Sequence, residues 1–105
     1  MQEYKELADS PSSLVKREFI QALDQTIRGL YGDIKREEGD LELSISVPRE
    51  LTLGDLSSSI AFRLAKFAHT NPGGIAKEIA KKMQPSEHIS RFEDANGYVN
   101  AFIDE

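Results

Sequence analysis

The sequence predicts an α+β fold: a three- or four-stranded antiparallel sheet with about three helices packed on one face. Three observations carry that expectation. Apolar residues recur at helical spacing in three separate stretches, Leu41-Glu42-Leu43-Ser44-Ile45-Ser46-Val47 alternates apolar with polar, and Asn96-Gly97 stands between two extended segments as a hairpin turn.

Taken in order, residues 1–9 are polar with scattered Tyr4 and Leu7 and read as a flexible lead-in, leaving residues 10–105 as a single domain. Ser10-Pro11 is a helix start, because serine accepts a bond from a free N–H while proline at the first position sacrifices none. Val15, Phe19, Leu23, Ile27 and Leu30 or Tyr31 then make one apolar face, and Gly32 ends the helix in a left-handed conformation. Asp33 to Asp40 mixes both charges and reads as a solvated turn.

The alternation from Leu41 to Val47 predicts a strand with its apolar residues facing one way and Glu42, Ser44 and Ser46 the other, stopped by Pro48. A second helix is expected from about Asp55 to His69, with Asp55 as N-cap and Leu56, Ile60, Leu64 and Phe67 on its apolar side. Asn71-Pro72 starts a third, carrying Ile75, Ile79 and Met83 and closed by Pro85. Glu87 to Ala95 is then an extended segment leading into the Asn96-Gly97 turn, which accepts the positive φ that a tight hairpin needs. On the returning strand, Val99, Ala101 and Ile103 form a core face, and Tyr98, Asn100 and Phe102 point the other way, to solvent or a partner.

Length and charge narrow the function classes. At 105 residues the chain buries one core without cross-links, and with no cysteine it has neither disulfides, nor Cys-ligated zinc, nor thiol chemistry. No run of roughly 18 apolar residues spans a bilayer, and the first ten residues are unlike a signal peptide, so a soluble, cytoplasmic protein is expected. Thirteen basic against eighteen acidic residues give a net charge of -5, so any contact with nucleic acid must be local or aided by charges from another domain.

Catalytic and metal-binding patterns are not found. His69 and His88 lie in different elements without metal-pair spacing, and read as surface or capping residues. Ser57-Ser58-Ser59 fall in the expected first turn of a helix, with no Gly-x-Ser-x-Gly frame around them. Asn71-Pro72-Gly73-Gly74 reads as a helix cap in preference to a phosphate cradle, since proline removes a donor, and Lys77, Lys81 and Lys82 read as a solvated edge. The outward face of the last strand is different. A tyrosine is a flat stacking surface, an asparagine carries both a donor and an acceptor, and Tyr98 and Asn100 project in parallel, two residues apart. They suit one unstacked nucleotide; the alternative is that Tyr98 merely covers the sheet and Asn100 bonds locally.

Leu53-Gly54-Asp55-Leu56-Ser57-Ser58-Ser59-Ile60-Ala61, Leu64-Ala65-Lys66, Asn71-Pro72, Ile75-Ala76-Lys77-Glu78-Ile79 and Gly97-Tyr98-Val99-Asn100-Ala101-Phe102-Ile103, in that order and spacing, resemble the N-terminal additional domain of arginyl-tRNA synthetases. The resemblance implies an α+β domain that binds the D-loop corner of arginine tRNA, with the tyrosine and asparagine of the Gly-aromatic-x-Asn strand, here Tyr98 and Asn100, on the D-loop base. Two departures stand out: Ser59 where many members carry asparagine, and Ala95-Asn96-Gly97 where Gly-Pro-Gly is more usual. The resemblance also implies a catalytic domain of the same parent chain, using ATP and Mg, and an anticodon-binding helical domain. None of their signature motifs occurs in these residues, so the chain alone is expected to be no enzyme and to hold no cofactor or metal. A competing expectation is a protein-interaction or architectural domain whose exposed sheet face packs on another domain.

Overall fold

Four antiparallel strands in the order β1-β2-β4-β3 form one sheet, and the helices share its core in the computed structural model, which describes residues 11–32, 39–48 and 54–103. Helix α1 (Pro11–Tyr31) buries Val15, Phe19, Leu23 and Ile27, one residue per turn, as the periodicity predicts. Gly32, at φ 64°, donates its N–H to Arg28 O at 2.9 Å and ends the helix. The expected lead-in and the Ser10 cap lie outside the described residues, as do residues 33–38 of the expected charged turn.

The next segment departs from expectation. Asp40–Leu43 is a single helical turn, α2, entered through Gly39 at φ 90°, and only Ile45–Ser46 is strand (β1). Leu41 and Ser44 are buried while Leu43 is 77% and Val47 75% exposed, so the alternation did not sort the faces. The physical reason is the partner. A strand extends only as far as its neighbour offers bonds, and β1 pairs with β2 (Leu56–Ser58), which is three residues long. The freed backbone bonds locally instead: Ser44 Oγ donates to Leu41 O at 2.7 Å, closing the turn. That spends the hydroxyl's one hydrogen, so across 2.7 Å Ser58 Oγ is the donor to Ser44 Oγ, and Ser58 in turn accepts from Ile60 N at 3.2 Å. Asp40, expected in a solvated turn, is buried and meets Arg63 at 3.2 Å.

Leu56–Ser58 is therefore strand, and the second helix, α3 (Ile60–Ala68), starts five residues later than Asp55. Asp55 is not its cap; its carboxylate accepts from Ile103 N at 2.8 Å, tying the start of β2 to the end of β4. Gly54 is required just before it: φ is 105°, and a Cβ there would lie 2.9 Å from Ala101 O. His69 closes α3 in the left-handed region at φ 54°. Helix α4 (Pro72–Lys82) begins as predicted, with Asn71 Oδ1 accepting from Gly74 N at 2.9 Å. It lies over β3 (Ile89–Ala95) and β4 (Tyr98–Ile103) and against α1. Phe19 of α1 stacks on Phe92 of β3 with ring centroids 5.8 Å apart, so the core runs unbroken from the outer helix to the sheet.

At the α1–β3 junction, Glu18 accepts hydrogen bonds from Ser86 Oγ and from His88 N at 2.8 Å, and its other oxygen meets His88 Nδ1 at 2.8 Å. Desolvation opposes the Glu18 charge, but these bonds and the nearby imidazole outweigh it and hold the carboxyl below its ordinary value. The bond to Glu18 raises His88 above its ordinary value against a smaller desolvation effect. Burial, with the charge of Glu78 behind it, likewise raises Tyr31.

Candidate nucleic-acid interface

The hairpin that carries the predicted pair is built as its turn chemistry requires. Asn96 and Gly97 both take positive φ, 52° and 88°, and Ala95 pairs directly with Tyr98 across a two-residue loop. Val99 and Ala101 are fully buried on the core side, and Ile103 is partly buried beside them. Side chains of residues directly opposite in a sheet share a face. The register Ser46↔Ser57, Ser57↔Asn100 and Asn100↔Glu93 therefore lays one polar row across all four strands, on the face opposite Val99 and Ala101.

Along this row is a cavity of about 260 Å³ lined by Ser46, Pro48, Ser57, Ala95, Asn96, Tyr98 and Asn100. Both predicted site residues line it, in different ways. Tyr98 is 40% exposed, as expected of an outward residue. Asn100, expected to face solvent or a partner, is only 3% exposed and sits deep in the row. Its side chain makes no hydrogen bond to another described residue, yet no side-chain nitrogen or oxygen among those residues is both sealed from solvent and unpaired. The amide thus opens into the cavity with its donor and acceptor unused.

Tyr98 is held from the other side. The ring of Phe62, from α3, meets it edge to face, with centroids 5.2 Å apart and planes at 63°. That contact makes Gly97 necessary twice over, since besides its positive φ a Cβ there would come 2.7 Å from Phe62 Cζ. Phe102 does not line the cavity. It is covered by Arg91, whose guanidinium carbon lies 3.9 Å from the ring centroid and whose Nε meets Glu93 at 2.7 Å. Neither histidine lines the cavity, and among the described residues no three His, Cys, Asp or Glu side chains gather to hold a metal. No helix among those residues is long and apolar enough to cross a membrane.

Sequence reasoning missed Ser46, Pro48, Ser57, Ala95 and Asn96 as cavity residues. Ser57 was expected on a helix; its place beside Asn100 follows from a strand pairing between residues more than forty positions apart. Asn96 was legible only as a turn residue, although a side chain at a hairpin tip stands next to whatever the following strand presents.

Residues 13–103 match the family described as the arginyl tRNA synthetase N terminal domain. Among curated relatives, the arginine–tRNA ligase of Methanococcus maripaludis strain S2 is 33% identical over 89 residues, covering 85% of this chain and 14% of that protein. The arginine–tRNA ligase of Archaeoglobus fulgidus is 37% identical over 87 residues, covering 80% of this chain and again 14% of the relative. In structure, the arginyl-tRNA synthetase of Thermus thermophilus superposes with a TM-score of 0.67 at 19% identity, over 85% of this chain and 14% of that one, which is a likeness of fold. With nine-tenths of its length matched by one family and that family's fold present in its four-stranded sheet, the chain belongs to the arginyl-tRNA synthetase N-terminal domains.

Proposed function

We propose that this domain recognises the D-loop corner of arginine tRNA for an arginine–tRNA ligase of the cytoplasm, with Tyr98 stacking on one unpaired base and Asn100 reading its edge. The observation that carries this reading is the unpartnered amide of Asn100, 97% buried and opening into a cavity beside an exposed tyrosine. The donor and acceptor of this amide make no hydrogen bond to another described residue, so a base edge that meets both gains two directional bonds, each worth about 0.5–1.5 kcal/mol net. At about 260 Å³ the cavity falls short of the ~300 Å³ at which drug-sized sites begin, and suits a single flat base. Ser57 stands beside the amide and Ser46 one strand beyond it, and both line the cavity with hydroxyls that donate or accept as the base requires. Aminoacylation itself, with ATP and Mg, belongs in this reading to a catalytic domain of the same parent chain. The acidic balance of these residues makes binding by the domain alone weak.

The test is equilibrium binding of an arginine tRNA transcript. Tyr98→Ala is expected to weaken it by a factor of about 5–150, the range of one lost base stack, and Asn100→Ala to weaken it as well. In the ligase, both substitutions should lower charging at limiting tRNA while leaving adenylate formation intact. Unchanged binding and charging with both would sink the base-reading role. A second reading, an architectural domain, draws on Leu43 and Val47, which stand exposed on either side of β1. It predicts that Leu43→Ser with Val47→Ser loosens a domain interface and leaves the tRNA contact untouched.

A further inference from the structure

The base in the cavity has neighbours along its strand, and the surroundings of Tyr98 are strongly asymmetric. On the β3 side, Glu93 stands opposite Asn100, and Arg91, the cation of that strand, is held by Glu93 and by the ring of Phe102. A phosphate leaving the cavity in that direction meets a carboxylate and a guanidinium already engaged with it. On the α3 side, Phe62 is 40% exposed and touches Tyr98. Lys66 follows four residues later, on the same face of the helix and one turn on. Lys66 is exposed and makes no ion pair with another described residue. Arg63 is also on this helix but is engaged with Asp40.

Resting on the base-binding reading above, we propose that single-stranded RNA passes from the cavity over α3, where Phe62 takes the apolar face of the adjacent nucleotide and Lys66 its phosphate. The ring geometry fits two splayed bases. Planes inclined at 63° with centroids 5.2 Å apart offer faces that one base cannot cover together, and the separation exceeds the rise of about 3.4 Å between stacked nucleotides. Loop nucleotides whose bases are unstacked and turned outward are what single-strand-reading proteins bind. A chain of net charge -5 also needs its phosphate contact on a local cation, and Lys66 is placed to supply one.

The experiment measures binding of an arginine tRNA transcript across a salt series, for the wild type and five variants: Phe62→Leu, Phe62→Tyr, Lys66→Ala, Tyr98→Ala and Asn100→Ala. Phe62→Leu keeps an apolar side chain but loses the flat face, and is expected to weaken binding about fivefold or more; Phe62→Tyr restores it. Lys66→Ala is expected to reduce the slope of log K against log salt by about 0.7, a change that a purely structural role for α3 would not produce. If Tyr98→Ala and Asn100→Ala weaken binding while Phe62→Leu matches the wild type and Lys66→Ala keeps the full slope, the path over α3 is wrong and the base pocket stands. If Tyr98→Ala and Asn100→Ala leave binding unchanged, both fall together.

Discussion

The two walls of the cavity are held by different physics. One is the β3–β4 hairpin, whose strands are seven and six residues long, whose inner face is seated on α4 and on Phe19, and whose turn is locked by two positive-φ residues. The other is β1 with Pro48, two residues of edge strand fastened through the hydroxyl relay of Ser44 and Ser58 and the Ser59 N to Ser44 O bond of 3.0 Å. The hairpin wall rests on buried apolar area, which is large and forgiving of geometry. The β1 wall rests on a handful of polar bonds, each worth about 0.5–1.5 kcal/mol net. Tyr98 and Asn100 stand on the strong wall, and Ser46 on the weak one. In the proposed role, such a site has a fixed reader and a side that can yield to its ligand.

That contrast breaks at the strong wall first. Phe19→Ala removes a fully buried ring stacked on Phe92, and is expected to cost about 3–5 kcal/mol, a large share of the stability a domain of this size ordinarily has. Urea denaturation measures it, and a loss below 1 kcal/mol would mean that the hairpin does not depend on α1. Gly97→Ala forces a Cβ into the left-handed region and against Phe62, at about 2–4 kcal/mol from strain and overpacking together. Under the proposed function it should also weaken tRNA binding beyond what the stability loss explains, since Tyr98 follows immediately.

The weak wall gives a smaller response. Ser58→Ala takes the acceptor from Ile60 N and the donor from Ser44, for about 1–2 kcal/mol. Amide exchange should then quicken at Ile45 and Ser46 and stay slow in β4, whereas equal acceleration in both would show the two walls to be one cooperative unit. The smallest effect is on pH. His88, raised by Glu18, contributes stability that is full below its unfolded pKa of about 6.5 and is lost as pH rises through the higher folded value. Glu18, lowered by its partners, contributes stability present above its unfolded value of about 4.5 and lost as pH falls through the lower folded one. The urea midpoint should therefore be highest between about pH 4.5 and 6.5, and Glu18→Gln should flatten the profile.

What could be read from the residues alone divides along the same line. Helix α1, the Asn71 cap of α4, the hairpin turn and the core face of β4 rest on interactions within a few positions of one another, so spacing and turn chemistry contain them. The family match on the Gly-Tyr-Val-Asn strand was legible for the same reason, its residues being contiguous. β1 and β2 were not legible. Their length is decided by distant partners, Leu56 lying opposite Ala101 and Ser57 opposite Asn100, and alternation in Leu41–Val47 says nothing about how much of a neighbour exists to pair with it. The same pairings decide the site. Local sequence determined that Tyr98 and Asn100 point to one face. That Asn100 is a nearly buried residue lining a cavity follows from strands brought beside it by the tertiary fold, because burial belongs to neighbours and not to the residue itself.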